Sequence, residues 1–153
     1  MLFLTLFQIT VFLLYVAYVT KRFGVLDSLS ESWYLLERGN PIFTLFCLGI
    51  GLPMFFQSTG HSTFFFLAGI GLVSIGLVAL YEKAFKRCVH YSGTAAAVIG
   101  TILGVLCDSG VWWPLPILTV SALAISFWKG IENKVWWTEM ATFAILSASL
   151  LMR

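Results

Sequence analysis

The chain has 153 residues, 59% of them hydrophobic and 10% charged, with a net charge of +2 and a mean hydropathy of +0.94. A soluble domain carries roughly 25% charged residues, so most of this surface is expected to meet lipid. The cations are few and not interleaved with aromatics, so no nucleic-acid partner is expected. Three cysteines (Cys47, Cys88, Cys107) without CxxC spacing imply neither a disulfide framework nor a zinc knuckle, and read as buried, reduced thiols.

Met1 leads straight into Leu2-Phe3-Leu4 with no basic n-region and no A-x-A site, so the first apolar segment is expected to stay in the mature protein. Crossing the hydrocarbon core takes about 20 apolar residues. Six stretches offer them: 2–20, 41–57, 63–81, 91–107, 111–128 and 135–152. They are apolar on all sides rather than alternating, which selects helices over barrel strands. The expected fold is an all-α membrane protein, a six-transmembrane-helix bundle forming one domain over 1–153.

The longest interruption, Lys21 to Asn40, is expected to hold a short helix at about 28–38. Ser28 and Glu31 fit a capping box, Gly39 and Asn40 suit a left-handed end, and Pro41 opens the next segment. Leu29, Trp33 and Leu36 share one face, with Asp27, Glu31 and Arg38 on the other. Such a helix would lie flat at the cytoplasmic surface, its apolar face among lipid headgroups. Capping explains most of its polar atoms; contact with a substrate is the alternative role for the Ser/Glu cluster.

Orientation follows from the cations. Lys21, Arg22, Arg38, Lys83, Lys86, Arg87, Lys129 and Lys134 fall in the first, third and fifth loops, and only Arg153 lies on the other side. Those loops are therefore expected in the cytoplasm and both termini outside it, with Trp128, Trp136 and Trp137 in an inner aromatic belt and Trp112 and Trp113 in an outer one. A bacterial inner membrane is the expected location.

Small residues mark helix contacts. Ala96, Gly100 and Gly104 form a small-xxx-small ridge, as do Gly69, Gly71, Ser74 and Gly76, and Ala144 with Ala148. These ridges build either the bundle interior or, for Ala96, Gly100 and Gly104, a homo-oligomer interface. Pro53, after Gly49 and Gly51, is expected to kink the second span.

An ionisable group inside a span is a functional candidate because burying charge in lipid is costly. Glu139 is that group, with Thr138, Thr142 and Ser149 on its side of the helix. His90 is expected at a similar level, where a Glu139–His90 contact would form a proton-active pair; the plainer reading is that Glu139 snorkels to the interface or caps its own helix. The candidate inner-face cluster is thus Ser28, Ser30, Glu31, His90 and Glu139. On the outer face sit Gln57, Ser58, His61, Cys107, Asp108 and Ser109. The two histidines fall on opposite sides of the membrane, so no shared metal site is expected, and no cofactor fingerprint or hydrolase motif occurs.

The runs Arg22–Leu36 (RFGVLDSLSESWYLL), Ile42–Cys47 (IFTLFC) and Val89-His90-Tyr91 resemble a family of small multi-pass membrane proteins of gut bacteria and their phages. The resemblance covers about the first two thirds of the chain and implies no activity. It implies that the SLSESWYLL and VHY segments belong to one cytoplasmic-face feature.

The leading expectation is a non-enzymatic scaffold that binds partners or membrane lipids. A small transporter or channel working through Glu139, His90 and the kinked second span is the alternative. An intramembrane enzyme acting on lipid at the cytoplasmic face, through Ser28, Ser30, Glu31, His90 and Glu139, is a further one.

Overall fold

Each of the six apolar stretches contains a helix in the computed structural model, which describes residues 2–36, 41–58, 63–78, 86–109 and 112–152. Helix α1 (Leu2–Phe23) carries Lys21 and Arg22 in its last turn, where cations complement the helix dipole. It stops at Gly24, whose φ of +81° lets its N–H return to the Thr20 carbonyl at 3.0 Å. A 3-10 turn (Leu29–Glu31) then passes into the four-residue helix α2 (Ser32–Leu35), and Leu36 is already extended. This helix is shorter than the 28–38 expected; residues 37–40 lie outside the described residues.

Four longer helices follow: α3 (Ile42–Ser58), which runs through Pro53, α4 (Thr63–Val78), α5 (Lys86–Ser109) and α6 (Pro114–Phe127). Proline suits the first position of α6, where its missing N–H is no loss. The last helix, α7 (Lys134–Leu151), is entered through Asn133 in the left-handed region, which asparagine tolerates better than other side chains. No strand occurs among the described residues.

Helix α1 lies against α3 and α7, α4 is sandwiched between α3 and α5, and α6 packs on α7. The main core is aromatic. Phe12 stacks on Phe143 with centroids 3.5 Å apart, and Tyr15 stacks on Phe46 at 4.1 Å. Leu29 and Leu36 are buried in the same cluster with Phe43 and Trp136. The apolar face of the short segment therefore points into the protein, not among headgroups. A four-residue helix is too short to persist alone, so the core has to hold it.

Between α4 and α5 the backbones nearly touch. A Cβ on Gly93 would sit 2.8 Å from the Gly71 carbonyl oxygen, and one on Gly100 would sit 2.7 Å from that of Phe64. Gly104 faces the Phe65 ring and Ala96 approaches Gly71, so this ridge is spent inside the chain. A second copy would have to use another face.

Many large apolar side chains lie on the surface, and several polar ones lie inside beside the aromatic core. Phe127 and Phe3 are 79% and 77% exposed, while Thr5, Gln8, Ser32, Thr44, Gln57, Thr101 and Ser149 are buried. Most of these hydroxyls return to helix carbonyls: Thr101 to Ala97 at 2.6 Å, Ser149 to Ile145 at 2.7 Å, and Thr44 across to Gly76 of α4 at 2.9 Å. All three cysteines are free. Only Cys47 is buried, however; Cys88 and Cys107 are exposed, because they sit on the outward face near either end of α5.

Candidate functional site

Four of the five inner-face candidates meet where the 25–32 segment crosses the start of α7. Ser28 caps the 3-10 turn, its Oγ accepting the Glu31 N–H at 3.2 Å. The Glu31 carboxylate reaches back to the Asp27 N–H at 2.8 Å, one residue before the position a capping box prescribes. Ser30 Oγ lies 3.2 Å from Ser28 Oγ. The Leu29 N–H donates to Glu139 Oε2 at 2.6 Å, so the carboxylate inside the sixth apolar stretch is spent on the backbone of the loop.

Further bonds seal the crossing. A helix leaves its first N–H groups without internal partners, and the Trp136 N–H, in the first turn of α7, finds the Asp27 carbonyl at 3.0 Å. The Asn133 side-chain amide donates to the Val25 carbonyl, also at 3.0 Å. Ser32 Oγ donates to the Leu29 carbonyl at 2.5 Å. Since that uses its one proton, the Tyr15 hydroxyl 2.6 Å away has to be the donor to Ser32. The Leu29 backbone, through its N–H to Glu139 and its carbonyl to Ser32 and so to Tyr15, thereby links α7 to α1.

His90 stands apart. Its ring packs edge-on against Tyr91, with centroids 5.7 Å apart, and among the described residues no hydrogen bond or ion pair joins it to Glu139. Helices α5 and α7 share a second core cluster through Val105 and Leu146. Counted from those two residues, His90 lies fifteen positions toward the start of α5 and Glu139 only seven toward the start of α7. The expected Glu139–His90 contact is not made.

Among the described residues, no hydroxyl of the cluster is hydrogen-bonded to a histidine or carboxylate side chain, so the cluster lacks the nucleophile–base pairing that activates a serine. Nor do three or more His, Cys, Asp or Glu side chains converge there in a way that could hold a metal ion.

The outer-face candidates divide differently. His61 and the side chains of Asp108 and Ser109 lie outside what the structure describes, and Ser58 Oγ caps back to the Phe55 carbonyl at 2.6 Å. Gln57 is only 4% exposed. Its Nε2 donates to Gln8 Oε1 at 3.0 Å and to Thr5 Oγ1 at 3.3 Å, and Gln8 Nε2 donates to the Ile50 carbonyl at 2.9 Å. Thr5 and Gln8 went unnoticed in the sequence. The available signal was their spacing: the buried positions of α1 are 5, 8, 12, 15 and 19, the alternating three- and four-residue steps of a helix seam.

Fold and site together define an all-α helical protein whose main polar junction ties a short loop to its last helix. The chain matches no protein-family model, no curated protein and no solved structure.

Proposed function

We propose that the protein is a six-span integral membrane protein acting as a non-enzymatic scaffold for membrane lipids and partner proteins, set in a bacterial inner membrane with both termini outside the cytoplasm. One observation carries the scaffold reading: Glu139, the carboxylate best placed for transport or catalysis, is bound at 2.6 Å to the Leu29 N–H. A group so engaged fixes the loop, and the surrounding hydroxyls are spent the same way.

Support for lipid as the solvent comes from the surface. Leu2–Phe23 and Cys88–Cys107 are long and apolar enough to cross a membrane, and α3, α4 and α6 are shorter apolar helices. Outward-facing Phe, Leu and Trp combined with inward-facing Gln, Thr and Ser is the arrangement that lipid favours and water penalises.

The test is proton flux into proteoliposomes, comparing wild type with Glu139→Gln. Equal flux in the two supports a structural role for the carboxylate. A wild-type flux that the variant abolishes overturns the scaffold reading in favour of transport.

A further inference from the structure

Pro53 has no N–H, so the Gly49 carbonyl four residues earlier in α3 lacks its helical partner. Both neighbouring helices crowd that weakened turn. A Cβ on Gly49 would sit 3.0 Å from Val11 of α1, and one on Gly51 would sit 3.1 Å from the Gly69 carbonyl oxygen of α4. Into the same turn Gln8 sends a side-chain donor, 2.9 Å from the Ile50 carbonyl oxygen.

The direction of the amide chain is forced. A backbone carbonyl only accepts, so Gln8 must turn its NH2 group toward Ile50 and its Oε1 toward Gln57. Gln57 must then present its own NH2 group, which serves both Gln8 and Thr5. Flipping either amide alone would set two acceptors face to face. The cost falls at the far end: Gln57 Oε1 is buried and has no hydrogen-bond partner among the described residues. A closed state that strands an acceptor is less stable than one that satisfies it.

We propose that α3 is a hinge at Pro53, held closed against α1 by Gln8 as a removable pin. Gln8 adds a bond between α1 and the Ile50 carbonyl, next to the Gly49 carbonyl that Pro53 leaves without its helical partner. The stranded Gln57 acceptor biases the pin toward release, because swinging the Met54–Ser58 end of α3 away from α1 would let that oxygen find a donor. Membrane helices tolerate proline where their neighbours support the weakened turn; here the support is a side-chain bond from a different helix, one residue past the freed Gly49 carbonyl, and it can be withdrawn.

Backbone hydrogen exchange of the protein in nanodiscs tests this, with Gln8→Leu, Pro53→Ala and the double variant. Gln8→Leu is expected to speed exchange at Met54–Ser58 by about tenfold while Gly93–Gly104 of α5 stays protected, the size of one lost hydrogen bond. In the Pro53→Ala background the same change is expected to do far less, since an unbroken helix needs no pin. Equal acceleration in both backgrounds, or acceleration spread evenly over α3, α4 and α5, overturns the proposal. Should Gln8→Leu fail to fold, Pro53→Ala alone decides: slower exchange at Met54–Ser58 than in wild type is expected, and unchanged or faster exchange rejects the hinge.

Discussion

The Leu29 N–H and the Glu139 carboxylate, 110 positions apart in sequence, form a 2.6 Å hydrogen bond. The geometry predicts a graded response. Glu139→Gln keeps an oxygen that can accept from Leu29 and loses only the charge assistance. Glu139→Leu strands a partly buried N–H, a penalty of about 1–3 kcal/mol. Thermal unfolding in detergent should therefore rank wild type above Glu139→Gln and Glu139→Leu lowest. A Leu variant as stable as wild type would show that the bond contributes nothing.

Tyr15 and Ser32 make the companion link. Tyr15→Phe removes a donor but leaves Ser32 its bond to the Leu29 carbonyl, so a loss of about 0.5–1.5 kcal/mol is expected. Ser32→Ala leaves the buried Tyr15 hydroxyl (4% exposed) without its acceptor and should cost more. The double variant, having removed both partners, should be less destabilised than the sum of the singles. A double-mutant cycle in chemical or thermal unfolding measures this directly, and strict additivity would argue that the two hydroxyls are not coupled.

These two links mark where sequence reading works and where it stops. The Ser28/Glu31 cap was legible because capping is local: residue types three apart carry it. The partner of Leu29 was not, because nothing near position 29 specifies position 139. Helix positions were legible from unbroken apolar runs, which say where a rod begins and ends. Which side of a rod faces inward is a different question, and in α1 the answer was hidden. Leu and Phe cover much of the outside, while the inward seam mixes Thr5 and Gln8 with Phe12, Tyr15 and Val19, so hydrophobicity alone does not pick out the buried face. Counting from the membrane surface sets His90 level with Glu139, but Glu139 is bound to the Leu29 N–H instead, a partner that such counting does not reach.

The α4–α5 contact predicts a sharp size limit. At Gly100 an added Cβ already meets the Phe64 carbonyl oxygen at 2.7 Å, and a backbone cannot step aside as a flexible side chain can. Gly100→Leu should force the helices apart and cost about 3 kcal/mol or more, at or beyond the usual range for overpacking. Gly24→Ala, where a Cβ would meet nothing within 4 Å, should lose only the roughly 1–2 kcal/mol of a left-handed non-glycine residue. Comparing the two melting temperatures separates steric from conformational cost; similar losses would mean that the α4–α5 contact is looser than the structure has it.

The proposed orientation can be read from the native thiols, with no engineered label. Cys88 and Cys107 are both exposed and free, and Cys47 is buried. The first two are nineteen residues apart on α5, about 28 Å along the axis at 1.5 Å per residue, close to the roughly 30 Å thickness of the hydrocarbon core. If α5 spans the bilayer with its basic start in the cytoplasm, an impermeant maleimide added to intact cells or right-side-out vesicles should modify Cys107 alone. Cys88 should react only after permeabilisation, and Cys47 only after denaturation. Reaction of Cys88 and Cys107 from the same side would show that α5 does not cross. The six-span topology would then fail, whatever the fate of the Leu29–Glu139 bond.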